Sequence, residues 1–182
     1  METTKPVFTI REIAYVGIFA ALIAICSWIS IPTPWDIAFT LQTFAVCVVV
    51  GLLGMKLGTI TVCIYILVGL VGLPVFSGFR AGVGTLMGAT GGYIIGFVFM
   101  ALVTGGIIRK QGRSVPVLAA AMIVGLAVCY LFGTVWFVAV YTGGMGFGAA
   151  LMMCVVPYII PDLVKIALAI LLVRRLYPHM KL

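Results

Sequence analysis

Residues 81–108 read AGVGTLMGATGGYIIGFVFMALVTGGII, twenty-eight consecutive positions without an Asp, Glu, Lys or Arg. An α-helix rises about 1.5 Å per residue, so about 20 apolar residues cross the hydrocarbon core of a bilayer, and a helix satisfies its own backbone groups there. This stretch therefore accommodates one span. Further charge-free runs cover 13–35, 37–55, 57–79 and 114–161. Three of these hold one helix each. The run 114–161 is too long for one and is broken by Thr142-Gly143-Gly144-Met145-Gly146, and a last helix begins near Pro161 and continues to Val173. The pattern predicts an all-α membrane protein with six transmembrane helices, in a single domain covering 1–182. Composition agrees, since 64% of the residues are hydrophobic and 8% are charged, against about a quarter charged in soluble domains.

Net charge is +7, but its distribution argues against a nucleic-acid partner. Six spans put both termini and the turns near 56 and 109–113 on one side. That side carries nine cations: Lys5, Arg11, Lys56, Arg109, Lys110, Arg113, Arg174, Arg175 and Lys181. The opposite loops carry Arg80 alone, and Lys165 lies within the last helix. This asymmetry places both termini in the cytoplasm, the N-in/C-in arrangement. Segment 13–30 has no small-residue cleavage pattern before Ile31-Pro32-Thr33-Pro34, and five further spans follow, so it reads as a retained first helix. Cys26, Cys47, Cys63, Cys129 and Cys154 are odd in number, lie in apolar runs and form no CxxC, so they read as buried small hydrophobes.

The expected helices are roughly 10–30, 37–54, 57–72, 84–108 and 114–141, then a short one over 147–157 and a last one from Pro161. In 84–108, the spacing Gly84/Gly88/Gly92/Gly96 puts four glycines on one face. That groove serves either tight helix packing or direct approach of a ligand.

Asp162 and Lys165 are the most informative residues. Ionisable groups inside a membrane are costly and mark function by default, and an i, i+3 pair shares one helix face. A structural ion pair near the interface is the alternative. Gln42, Tyr93 and Arg80 all fall near the same outer end, so a carboxylate acceptor, an amide and two cations come together in an apolar, aromatic setting. Such a set suits a small ligand with N–H donors at one end and a carboxylate at the other. Arg80 also reads as an ordinary solvated loop cation. Catalysis finds no support: His179 lies in the tail, and no spaced carboxylate pair or metal-ligand cluster occurs. Gly-rich 88–92 lacks the Lys-Ser/Thr of a phosphate loop, so a transporter built this way needs a gradient or a partner. Helix 1 offers a stripe of small residues, Ala14, Gly17, Ala20 or Ala21, and Ala24, suited to another helix in a partner or in this chain's own bundle.

Four segments, in order along nearly the whole chain, resemble the BioY family. They are Phe39-Thr40-Leu41-Gln42-Thr43, Gly72-Leu73-Pro74-Val75-Phe76, Gly88-Ala89-Thr90-Gly91-Gly92-Tyr93-Ile94-Ile95-Gly96-Phe97 and Pro161-Asp162-Leu163-Val164-Lys165. That family comprises the biotin-specific S components of energy-coupling factor (ECF) transporters. The resemblance implies a six-helix S-component bundle with an outward-facing biotin site, in the cytoplasmic membrane of a prokaryote. It implies Asp162 accepting from the ureido N–H groups, helped by Gln42, with Lys165 and Arg80 serving the polar and carboxylate ends and Phe76 and Tyr93 packing the ring and chain. It also implies a membrane T subunit and two cytosolic ATPases as partners, joined through Gly17, Ala20 and Ala24 of helix 1, and no cofactor or metal beyond the transported ligand. An S component for riboflavin or thiamine, or a membrane assembly subunit without a solute, remains the alternative.

Overall fold

The computed structural model describes residues 8–34, 37–142, 144 and 146–180. Lys5, Gly143, Met145 and Lys181, each used in the sequence reading, lie outside the described residues. Helix α1 (Ile10–Trp28) opens on a capping box. The Glu12 N–H donates to the Thr9 hydroxyl (3.2 Å) and the Thr9 N–H donates to the Glu12 carboxylate (2.7 Å), satisfying two otherwise orphaned donors. After α1 the chain extends into β1 (Ser30–Ile31), which pairs antiparallel with β2 (Phe39–Thr40), Ser30 opposite Thr40 and Ile31 opposite Phe39. The helix expected from 37 therefore starts later, at Gln42.

Helix α2 (Gln42–Leu70) is not a straight rod. Gly54 inside it has φ 74° and ψ −170°, a conformation that glycine alone adopts without strain. The Gln42 side-chain amide donates to the Tyr65 hydroxyl at 2.6 Å, although a continuous helix would hold residues 42 and 65 about 35 Å apart. The two legs, 42–53 and 55–70, thus run antiparallel from a one-residue reversal. The first leg is the centre of the bundle: Ala45, Val46, Cys47 and Val49 are fully buried. A segment apolar on every side has to be covered on every side, and α1, α4 (Gly91–Gln111) and α7 (Val156–Leu176) pack around α2 while α5 (Val115–Trp136) packs on α4.

Two expected boundaries change. A single helix over 84–108 does not form; a short α3 (Val83–Leu86) precedes α4. Gly91 sets the break, because a Cβ there would lie 1.7 Å from the Leu86 carbonyl oxygen. Gly84 and Gly88 consequently share no helix face with Gly92 and Gly96. The latter two let α5 approach, since a Cβ on Gly92 would lie 2.2 Å from Trp136 and one on Gly96 3.1 Å from the Cys129 sulfur. Second, the last helix starts at Val156 after α6 (Phe147–Cys154), with Pro157 in its first turn and Pro161 inside it. A proline this early removes only one backbone bond, to the carbonyl of residue 157, and the helix continues past it. Asp162 lies well inside the helix as a result. Between α5 and α6, Phe137–Thr142 is wound as a π-helix.

Among the described residues, five helices, α1, α2, α4, α5 continued to Thr142, and α7 continued to His179, are long and apolar enough to cross a membrane. Ile18, Leu131 and Leu171 are among their many exposed apolar side chains, which hydrocarbon solvates without penalty. Contacts define two ends. At one, the Lys56 ammonium lies 4.9 Å from the Phe8 ring centre, and Arg113 donates to the Gly51 carbonyl (3.0 Å) and the Tyr177 hydroxyl (2.9 Å). At the other, the Trp28 indole N–H donates to the Pro74 carbonyl at 2.8 Å. Lys56, Arg109, Lys110, Arg113, Arg174 and Arg175 gather at the first end, Arg80 at the second.

Candidate functional site

A cavity opens at the hairpin end, with about 670 Å³ of non-atom space counting its mouth. Ile37, Thr40 and Gln42 come from the hairpin and the start of α2, Tyr93 and Phe97 from α4, Cys129 and Tyr130 from α5, and Tyr158, Asp162 and Lys165 from α7. Its walls are mostly apolar and aromatic, and its polar groups converge.

Asp162 is 3% exposed, so its charge survives only if it is paired and hydrogen-bonded. Lys165 donates to one carboxylate oxygen at 2.7 Å, and the Tyr130 hydroxyl donates to the other at 2.5 Å. Lys165 also donates to the Thr40 carbonyl of β2 at 2.6 Å. A carboxylate offers about four lone-pair sites and an ammonium three donors. The pair thus satisfies itself and keeps acceptor and donor capacity over, at the edge of a cavity.

Gln42 is held from both sides. Its oxygen accepts from the Thr40 hydroxyl (3.2 Å), its nitrogen donates to Tyr65 (2.6 Å), and Tyr65 passes its own proton to the Val75 carbonyl (3.1 Å). Tyr93 presents its ring to the cavity while its hydroxyl meets Thr134 at 3.2 Å. Its ring packs where Gly133 leaves room, since a Cβ there would come within 2.3 Å of it. Tyr158 stacks on Phe39 with ring centres 4.1 Å apart and donates its hydroxyl to the Ile37 carbonyl, fastening the hairpin over the cavity.

Of the residues singled out from sequence, Asp162, Lys165, Gln42 and Tyr93 line this one cavity. Phe76 does not. Its fully buried ring meets Tyr65 edge-on (5.6 Å, 85°) and fills the space over Gly69, where a Cβ would lie 2.1 Å from it. Arg80 lines a neighbouring hollow of about 460 Å³ that shares Ala38, Ser77 and Thr90 with the cavity. The loop carrying it is pinned at Phe76, whose N–H donates to the Arg80 carbonyl at 3.0 Å. On α1, Ala20 and Ala24 turn inward, 9% and 6% exposed, whereas Gly17 is exposed. The small residues that face outward are Ala14, Gly17 and Ala21, so Ala20 and Ala24 serve the chain's own packing.

Sequence reasoning missed Tyr130, Tyr158 and Thr40. Tyr158 had a signal: with Asp162 and Lys165 it stands at i, i+4 and i+7, one stripe of one helix. Tyr130 had a weaker one, a phenol deep in an apolar run whose hydroxyl must find a partner. Thr40 contributes a backbone carbonyl, which no residue type announces.

The whole chain, residues 1–182, matches the model of the BioY family. It is 38% identical over 166 residues to the biotin transporter BioY of Thermotoga maritima, covering 91% of this chain and 95% of that protein. With the probable biotin transporter BioY of Pyrococcus horikoshii it shares 37% identity, over 91% of this chain and 96% of the other. Its fold is similar to the crystal structure of the S-component for biotin from an ECF-type ABC transporter, with a TM-score of 0.83 and 26% identity, covering 92% of this chain and 90% of that one. A match running from end to end, to proteins of nearly the same length and to a helical bundle of the same shape, leaves one conclusion: the chain belongs to the BioY family.

Proposed function

We propose that the chain captures biotin at the outer face of a prokaryotic cytoplasmic membrane, as the substrate-binding S component of an ATP-driven ECF transporter. The observation that carries this reading is the spare hydrogen-bonding capacity of the Asp162–Lys165 pair beside an aromatic cavity. Biotin has two ureido N–H donors, a carbonyl between them, an apolar bicycle and a carboxylate at the end of its chain. The free lone pairs of Asp162 accept from the ureido N–H groups. Lys165 and the Gln42 amide donate to the polar atoms beside them, Tyr93 and Phe97 flank the bicycle and chain, and Arg80 in the adjoining hollow holds the carboxylate. Phe76 contributes through Tyr65 and the loop it anchors, as a positioning residue.

The bundle crosses the membrane six times, with the two legs of α2 as separate crossings and both termini in the cytoplasm. The outward face of α1 takes the T subunit, which brings two ATPases that this chain does not replace. Calorimetry on the purified protein tests the ligand: one-to-one binding of biotin, with none of riboflavin or thiamine, is expected. Folded protein that ignores biotin would overturn the reading and favour another vitamin.

A further inference from the structure

The basic end carries a second hollow, remote from the cavity just described. It lies between the start of leg 55–70 and the last turns of α4, and holds about 1430 Å³ of non-atom space counting its open side. Met55, Ile60, Leu102 and Ile108 make it apolar. Gly105 lets the two helices touch beside it, since a Cβ there would lie 2.4 Å from the Met55 Cα.

The rim is cationic. Lys56 and Arg109 are exposed, and Arg109 has no ion-pair or hydrogen-bond partner among the described residues. Arg113, also at the rim, is already engaged by Gly51 and Tyr177. Glu12, the one carboxylate at this end among the described residues, is occupied by the α1 capping box. Among the described residues Arg109 therefore has no acidic partner, and Lys56 has the Phe8 ring and only the through-space attraction of the already capped Glu12.

A polar group waits below the rim. The Thr59 hydroxyl lies on this wall, buried and without a hydrogen-bond partner, whereas Thr61 returns its hydroxyl to the Leu57 carbonyl at 2.8 Å. An orphan hydroxyl in an apolar wall is unfavourable until a ligand meets it. Thr59 is three residues along the leg from Lys56, about 4.5 Å deeper at the helical rise. Cations at the surface, a hydroxyl one step down and an apolar trough beyond follow the order of phosphate, glycerol ester and acyl chain in a phospholipid.

We propose that this groove binds one anionic phospholipid, its phosphodiester between Lys56 and Arg109, an ester oxygen at Thr59 and an acyl chain along Ile60, Leu102 and Ile108. Basic pockets between membrane helices on the cytoplasmic side are built for such headgroups. A choline headgroup puts its own cation against the same rim and is disfavoured.

The test is native mass spectrometry with lipid extraction on the full chain, purified after equilibration in mixed micelles of phosphatidylglycerol and phosphatidylcholine at equal amounts. One retained phosphatidylglycerol per chain is expected. Its enrichment should be about 25-fold, from about fivefold per surface cation. Lys56→Gln with Arg109→Gln should bring it near unity, and Ile60→Trp, which fills the trough without touching charge, should lower retention. The control Lys110→Gln with Arg175→Gln removes equal charge and should change nothing. Thermal unfolding of each variant, read with a thiol-reactive dye, verifies folding independently of any vitamin. Equal loss in the control would mean diffuse attraction, and displacement by millimolar inorganic phosphate would mean a soluble-anion site. Equal retention of both lipids, with Ile60→Trp blocking assembly, would mean that a partner protein fills the groove. Each of these three results overturns the proposal.

Discussion

Asp162→Asn separates what the pair does for the fold from what it does for the ligand. The substitution keeps shape and removes charge. Lys165, whose side chain is 12% exposed, is left as a cation without its counter-ion, and the Tyr130 hydroxyl risks facing an amide N–H in place of an acceptor. Breaking a buried pair from one side costs about 3–5 kcal/mol of stability. Loss of a buried charged partner costs about 2–5 kcal/mol of binding, which is about 30-fold or more in affinity. Adding Lys165→Met removes the stranded cation, so the double variant should recover much of the lost stability and none of the binding. The cysteines supply the stability assay: Cys26, Cys47, Cys129 and Cys154 are buried, so a thiol-reactive dye lights up when the bundle opens. Calorimetry with biotin supplies the other half. If Asp162→Asn binds biotin as tightly as the parent, the carboxylate is not the ureido acceptor and the site assignment is wrong.

Tyr130→Phe deletes one donor to Asp162 and leaves the ring. A hydrogen bond to a charged group contributes about 1.5–3 kcal/mol, so biotin affinity should fall about tenfold or more by calorimetry. Gly54→Ala forces an alanine to φ 74°, ψ −170°, costing about 1–3 kcal/mol; the dye should report a lower unfolding midpoint with binding at saturation unchanged. Gly17→Trp or Ala21→Trp, on the outward face of α1, should block co-purification with the T subunit while leaving biotin binding intact. Ala20→Trp and Ala24→Trp point into the core and should instead lower the unfolding midpoint. The reverse pattern would mean that the inward face is the partner face.

Charge spacing made the bundle legible. The reversal came through as a turn because Lys56 separates two charge-free runs, 37–55 and 57–79, whereas the Thr9-x-x-Glu12 capping box went unread although it carries its own chemistry. The hairpin was invisible: two pairs of residues form no periodic pattern, and the Pro32/Pro34 loop hides their register. The break before α4 was equally hidden, since a glycine that prevents a clash with Leu86 looks in sequence like a glycine on a smooth helix face. The helix-7 charges announced the site because charge in lipid is costly. Which aromatic rings join them depends on three-dimensional packing. Phe76 and Tyr93 follow glycine-rich segments alike, yet one ring fills the space over Gly69 and the other faces the cavity.

The two ends of the bundle are fastened differently. At the basic end, a single residue reverses α2, and Arg113 stitches that reversal to the 109–113 turn and to the C-terminal segment, with its guanidinium 4.0 Å from the Tyr177 ring centre. At the cavity end, the hairpin has a ladder two residue pairs long, and its remaining fastenings include the Lys165 clasp on Thr40 and the Tyr158 clasp on Ile37. Stiffness is thus graded along the long axis, as in a clothes peg sprung at one end. From these fastenings, a solute entering the cavity is expected to displace the hairpin end before the basic end. Lys165 is a clasp on Thr40; if it is also the ligand donor proposed above, the same ammonium that meets the solute decides how firmly the jaw closes.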